Sequence, residues 1–108
     1  MGVTKSTLFS PEVNQMADYA RVLGHPARLA IIEHLIKQDA CICNDLSEKL
    51  GLAQSTTSQH LAELKRVGLI QGSIEGSKMC YCINVHTWTE VAQMFAELFR
   101  KDPMANCC

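Results

Sequence analysis

The sequence predicts a mainly α domain with one small β-hairpin, laid out as a winged helix-turn-helix of five helices and a two-stranded wing. Three observations predict it. Apolar residues recur at helical spacing towards both ends of the chain. In the middle, a short helical stretch, a glycine-marked turn and a helix with a polar leading half follow one another. Two strand-like runs then flank a glycine-bearing loop.

Residues 1–10 show no periodicity and read as a flexible arm. Ser10 is placed to cap a helix from Pro11, since its hydroxyl can accept from a free amide and proline suits the first helical position. Val13, Met16, Ala17, Ala20 and Leu23 form the apolar stripe of that helix, and Gly24 stops it. Pro26 opens a second helix, residues 26–38, with Leu29, Ile32, Leu35 and Ile36 as its core face and Ile31 beside them. Cys41-Ile42-Cys43 has the length of one extended bridge. Asn44 or Asp45 caps a short third helix through Leu50, and Gly51 stops it. After Leu52-Ala53 a fourth helix starts near Gln54 or Ser55, runs to Val67 and ends at Gly68. Residues 69–74 and 79–85 are the expected strands. Thr87 is the expected cap of the last helix, residues 88–100. There Trp88, Val91, Ala92, Phe95, Leu98 and Phe99 make the most strongly amphipathic stripe of the chain. Residues 101–108 read as a flexible cysteine-containing tail, which leaves 11–100 as the domain.

Composition narrows the function. The 108 residues suit one domain, and 47% hydrophobic with 19% charged residues excludes wholesale disorder. Ten basic against 11 acidic residues give a net charge of −1, so no strong overall attraction to nucleic acid or anionic lipid is expected. No apolar run approaches the roughly 20 residues of a membrane span. The opening residues lack the apolar core of a secretory signal. A cytoplasmic protein without a membrane partner is the expectation.

Residues 54–60, Gln-Ser-Thr-Thr-Ser-Gln-His, are seven successive polar residues at the head of a helix. They would pack poorly in a core. They suit a helix entering the major groove, which must bring hydrogen-bonding side chains to base edges. The plainer alternative is a solvated first turn. The apolar second half, the glycine stops and the hairpin that follows favour double-stranded DNA as the partner. Gln54, Ser55, Thr57, Ser58 and Gln59 are the expected base-facing residues, with His60, Lys65 and Lys78 nearer phosphates. Charge between residues 43 and 78 balances, with Lys49, Lys65, Arg66 and Lys78 against Asp45, Glu48, Glu63 and Glu75. A few placed cations, amides and hydroxyls must therefore hold the backbone, and a modest salt dependence follows.

The six cysteines fall in pairs: Cys41/Cys43, Cys80/Cys82 and Cys107/Cys108. Without a secretory signal a disulfide scaffold is the poorer reading. Neither C-x-C nor C-C is the C-x-x-C of thioredoxin-like sites or zinc ribbons. Clustered thiols in a cytosol point to soft metals or redox sensing, and small buried hydrophobes are the bland alternative.

Leu23-Gly24-His25-Pro26-Ala27-Arg28-Leu29, Leu46-Ser47-Glu48-Lys49-Leu50-Gly51 and Ser58-Gln59-His60-Leu61-Ala62-Glu63-Leu64-Lys65-Arg66-Val67-Gly68-Leu69-Ile70, with the wing to Asn84, resemble the ArsR/SmtB family. The resemblance runs from about Glu12 to Phe99. It implies a dimeric winged-helix repressor that senses metals, metalloids or thiol chemistry, with the first and last helices in the dimer and the fourth on DNA. A local reason for a homodimer exists as well, because a chain this small cannot bury both terminal apolar stripes alone. Val13, Met16, Ala20, Trp88, Val91, Phe95, Leu98 and Phe99 are the expected interface. Two-fold symmetry implies an operator with inverted half-sites.

The resemblance also locates sensor positions. Cys41 and Cys43 stand where the family has a Cys-x-Cys pair at the start of the third helix. The arsenic-type third cysteine is replaced by Leu46, and residues 1–40 hold no cysteine of the cadmium/lead type. The zinc position of the last helix is met by Asn84-Val85-His86, then Glu97 and Arg100, a poor ligand set that leaves His86 a residue of the helix start. His25, His34 and His60 read as packing or hydrogen-bonding residues. In winged helices the link before the third helix commonly runs beside the second wing strand, which would bring Cys41 and Cys43 to Cys80 and Cys82. Those four are the expected ligands of a thiophilic species, trivalent arsenic first, with Cys107 and Cys108 as reserves. No cofactor is required. Release of DNA on binding of that species is the leading expectation, and a redox or persulfide switch on the same thiols is the alternative. A thiol enzyme would need a base and a pocket that no motif supplies, so no enzymatic activity is expected. A pure dimerisation module would leave residues 54–60 unexplained.

Overall fold

The computed structural model describes residues 6–38, 46–76 and 78–103, with only the backbone for Ser6, Glu75 and Lys78. A short 3-10 turn, Ser6–Leu8, sits within the segment expected to be an irregular arm. The elements then follow as α1 (Pro11–Leu23), α2 (Pro26–Ile36), α3 (Leu46–Leu50), α4 (Gln54–Arg66), β1 (Ile70–Glu75), β2 (Lys78–Ile83) and α5 (Val85–Arg100). This is the expected mainly helical architecture with an antiparallel hairpin.

Caps explain most boundaries. Ser10 Oγ accepts from Val13 N at 3.1 Å, with Pro11 opening α1. His25 caps α2, its Nδ1 accepting from Ala27 N at 3.1 Å, an imidazole in a role usually filled by a hydroxyl or carboxylate. Asn84, not Thr87, caps α5, accepting from Thr87 N at 3.4 Å, so that helix starts three residues earlier than expected. Gly51 and Gly68 end α3 and α4 with φ of 72° and 85°, a region that side chains with a Cβ avoid. The hairpin turns at Gly76 and pairs Ile70 with Ile83 through Glu75 with Lys78.

The core gathers Tyr19 and Val22 from α1, Ile31, Ile32 and Leu35 from α2, Leu46 from α3, Leu61 and Leu64 from α4, and Leu69, Ile70 and Val91. Each such side chain withdrawn from water contributes about 1.5–3 kcal/mol. Two expected faces are corrected here, those of α2 and α5, and α1 shows an inner face beside its expected stripe. In α2, Leu29 and Ile36 are 48% and 51% exposed, while Ile31 and Ile32 point inward. That helix is apolar on nearly every side, so periodicity alone could not choose its face. In α1 the inner face is Tyr19 and Val22, and Val13, Ala17 and Ala20 look outward. In α5, Val91 is 4% exposed and packs into its own core, so it is not free for a partner. α2 lies at the centre, touching α1, α3, α4 and β2, while α5 leans on α1.

Candidate nucleic-acid interface and thiol site

α3, the turn at Gly51 and α4 place one polar edge on the outside. Along α4, Gln54, Ser55, Ser58, Gln59 and Lys65 are exposed. Their spacing puts them on one side of the helix. Thr57 and His60 depart from the expected edge. Thr57 is 3% exposed and its Oγ1 donates to Ala53 O at 3.1 Å. His60 is 7% exposed and faces α2. Both share the face of Leu61 and Leu64, which the core claims first. Ala62, which polarity alone did not single out, lies in the exposed row one turn beyond Ser58. Lys78 opens β2 opposite Glu75, with its backbone alone described.

His60 belongs to a cluster between α2 and α4. Arg28 Nε donates to His60 Nδ1 at 3.1 Å, and Arg28 Nη1 donates to Val22 O at 3.2 Å. The His25 ring stands 4.3 Å from that of His60, centre to centre. Burial, then the nearness of His25 and Arg28, pushes the His60 imidazole below its ordinary 6.5. Neutral His60 is the form that can accept from Arg28.

A second cluster ties α4 to α1. Arg66 meets Asp18 through two bonds, Nη1 to Oδ2 and Nη2 to Oδ1, each at 3.1 Å. Arg66 also donates to Glu63, at 3.2 and 3.3 Å, and Arg21 donates to Asp18 at 2.8 Å. Arg21 comes within 3.8 Å of Glu63 and closes the quartet. The Arg66 guanidinium holds the carboxyls of Asp18 and Glu63 below their usual range, and the two carboxylates push Arg66 still higher. Sequence reading missed this quartet. The i,i+3 pairs Asp18/Arg21 and Glu63/Arg66 were visible, but their meeting across helices was not.

Among the cysteines, the structure describes Cys80 and Cys82. Cys41, Cys43, Cys107 and Cys108 lie outside the described residues. Cys80 is fully buried and disulfide-bonded, contrary to the expectation against disulfides. Its bonding partner lies outside the described residues. In that state the Cys80 sulfur has no thiolate to offer a metal. Cys82, two residues along the same strand, is a half-buried free thiol with Gln71 Nε2 3.8 Å from its sulfur. Asn84 is committed to capping and exposed His86 lies 3.3 Å from Glu90. No group of three potential ligands gathers among the described residues.

The family model described as "Bacterial regulatory protein, arsR family" matches residues 25–71, from the start of α2 into β1. The reduced form of HlyU from Vibrio cholerae is 31% identical, with a TM-score of 0.62, over 82% of this chain and 88% of that one. The chain belongs to the arsR family. An uncharacterized regulator, Rv0081 of Mycobacterium tuberculosis, is 37% identical over 62% of this chain, and the match spans 59% of that protein's length. The cadmium resistance regulator CadC of Listeria innocua is 29% identical over 73% of this chain and 66% of its own. ArsR-family proteins are DNA-binding transcriptional regulators, not enzymes. The winged helix-turn-helix seen here is the fold of these relatives.

Proposed function

We propose that this chain is a homodimeric transcriptional repressor that grips an inverted repeat in double-stranded DNA and releases it when cysteine chemistry changes beside the wing. The exposed row Gln54, Ser55, Ser58 and Gln59 carries the proposal. Amide and hydroxyl groups at the head of a helix, outside the core and next to a hairpin, are what readout of base edges needs. Lys65, further along the same row, serves a phosphate. No described helix is long and apolar enough to cross a membrane.

The homodimer rests on uncovered apolar surface. Leu8, Phe9, Val13, Leu98 and Phe99 are all exposed, Phe99 at 79%. Met16, Trp88 and Phe95 are half-buried and Ala20 is exposed, so the proposed two-fold face keeps every expected member but Val91.

The disulfide at Cys80 favours a redox signal. Its proposed partner is Cys41 or Cys43, the third and fifth residues after Gln38 in the link that follows α2, the helix packed on β2. Two thiols would give two protons and two electrons to hydrogen peroxide, forming the S–S bond and two waters. The link leads straight into α3, so closing or opening that bond shifts the helix-turn-helix. A soft ion is the second reading. In the reduced chain Cys80 and Cys82, with Cys41 and Cys43, and Cys107 and Cys108 in reserve, supply thiolates for trivalent arsenic or cadmium. The likeness to CadC supports it.

A mobility-shift titration with inverted-repeat duplex tests the whole. The reduced chain is expected to bind, peroxide to release the DNA, and Cys80→Ser to bind but ignore peroxide. Failure to bind any duplex would overturn the repressor. Release of the reduced chain by arsenite, with no response to peroxide, would replace the redox signal by the soft ion.

A further inference from the structure

The geometry points to Asp18 and Arg66 as positioning residues that set the angle of α4 against α1, and thereby the half-site spacing the dimer accepts. The inference rests on the proposed DNA-binding homodimer and goes beyond it, naming side chains that touch no DNA.

α4 needs an orienting contact. Leu61 and Leu64 anchor it to the core and His60 ties it to α2 through Arg28, but apolar contacts are non-directional and one hydrogen bond does not fix a rotation. The polar row begins at Gln54 and the Arg66 end lies twelve residues on, a lever of about 18 Å. A tilt of about 10° at the Arg66 end moves the Gln54 end by about 3 Å. Two protomers tilting symmetrically double that displacement, which exceeds the 3.4 Å rise of one base pair. A spacing preference sharp to one base pair therefore demands that the tilt be fixed.

The quartet is built to fix it. Arg66 and Asp18 meet as a two-bonded fork, each bond 3.1 Å. A planar guanidinium on a planar carboxylate restrains direction as well as distance. Glu63 holds Arg66 from within α4 and Arg21 holds Asp18 from within α1, so neither member of the fork is free to swing. Asp18 stands next to Tyr19, which is buried in the core, so its end of the fork is anchored too. α1 also carries Val13, Met16 and Ala20 of the proposed two-fold face. The fork is thus a direct polar link from α4 to the helix that carries part of the proposed two-fold face. Isolated exposed ion pairs contribute little to stability. Orientation, not stability, is what this network supplies.

The test measures affinity for a series of duplexes whose inverted half-sites are separated by successive single base pairs. The chain itself is expected to show a spacing optimum. Asp18→Asn keeps the shape but removes the charge, and Arg66→Lys keeps the charge but removes the fork. Both are expected to flatten the optimum, cutting the preference over the neighbouring spacing by about tenfold while unfolding midpoints stay close to that of the parent. Lys65→Ala provides the contrast, with weaker binding at every spacing and the optimum in place. If both fork variants keep the parental optimum, the inference is overturned and the repressor reading stands. If the parent itself binds no duplex, the repressor reading falls and takes this inference with it.

Discussion

Gln54, Ser55, Ser58 and Gln59 owe their availability to two neighbours that turn inward. Thr57 uses its hydroxyl on the carbonyl of Ala53, and His60 gives its Nδ1 to Arg28. A polar heptapeptide thus divides by helical phase into a part that touches water and a part that locks the helix to the core. The outer part is where the proposed readout would discriminate. Gln59→Ala is expected to narrow the gap between operator and single-base variants by about 1–3 kcal/mol at the position it reads, and competition binding against a panel of substituted duplexes measures it. An unchanged ranking of the panel would remove Gln59 from base contact.

At the scale of elements, α2 and α4 are joined through an imidazole that must stay neutral. Its surroundings are His25 at the cap of α2 and Arg28 within α2, with Glu63 one turn along α4. Burial and the two basic neighbours keep the proton off His60 in the folded chain below the ordinary 6.5. The unfolded chain therefore takes up that proton first on acidification. The contribution of the His60–Arg28 contact is complete above about pH 6.5 and is lost as pH falls towards the depressed folded value. The melting temperature is expected to drop between about pH 7 and pH 5, and His60→Gln to blunt that drop. Equal pH slopes in parent and variant would place the proton uptake elsewhere. The quartet at Arg66 behaves differently. Its lowered carboxyls stay ionised through and below the ordinary carboxylate range, near 4, so the fork opens only in stronger acid.

For the whole molecule, the decisive surface is the one left uncovered. Phe99 sits in the last turn of α5, 79% exposed, beside Leu98 and stacked 6.4 Å from Phe95. A phenylalanine so placed contributes to stability only when something covers it. Phe99→Glu would set two carboxylates against each other across the proposed two-fold axis. It is expected to sediment as a monomer and lose operator binding, while keeping the helical content of the parent. A variant that remains dimeric would move the interface away from α5.

The order of elements, the glycine stops and the polar head of α4 were legible in the sequence, because turn chemistry, capping and hydrophobic period act over a few residues. Ser10, Gly51 and Gly68 are such local signals, and each sits where it was read. What lay beyond the sequence needed two elements at once. The face of α2, the inward turn of His60, the burial of Val91 and the fork of Arg66 on Asp18 depend on which neighbour arrives. So does the difference between Cys80 and Cys82, identical residues two positions apart, one disulfide-bonded in the core and one a free thiol. Periodicity ranks the sides of a helix or strand, but only packing against a particular partner decides which side is buried and which groups meet.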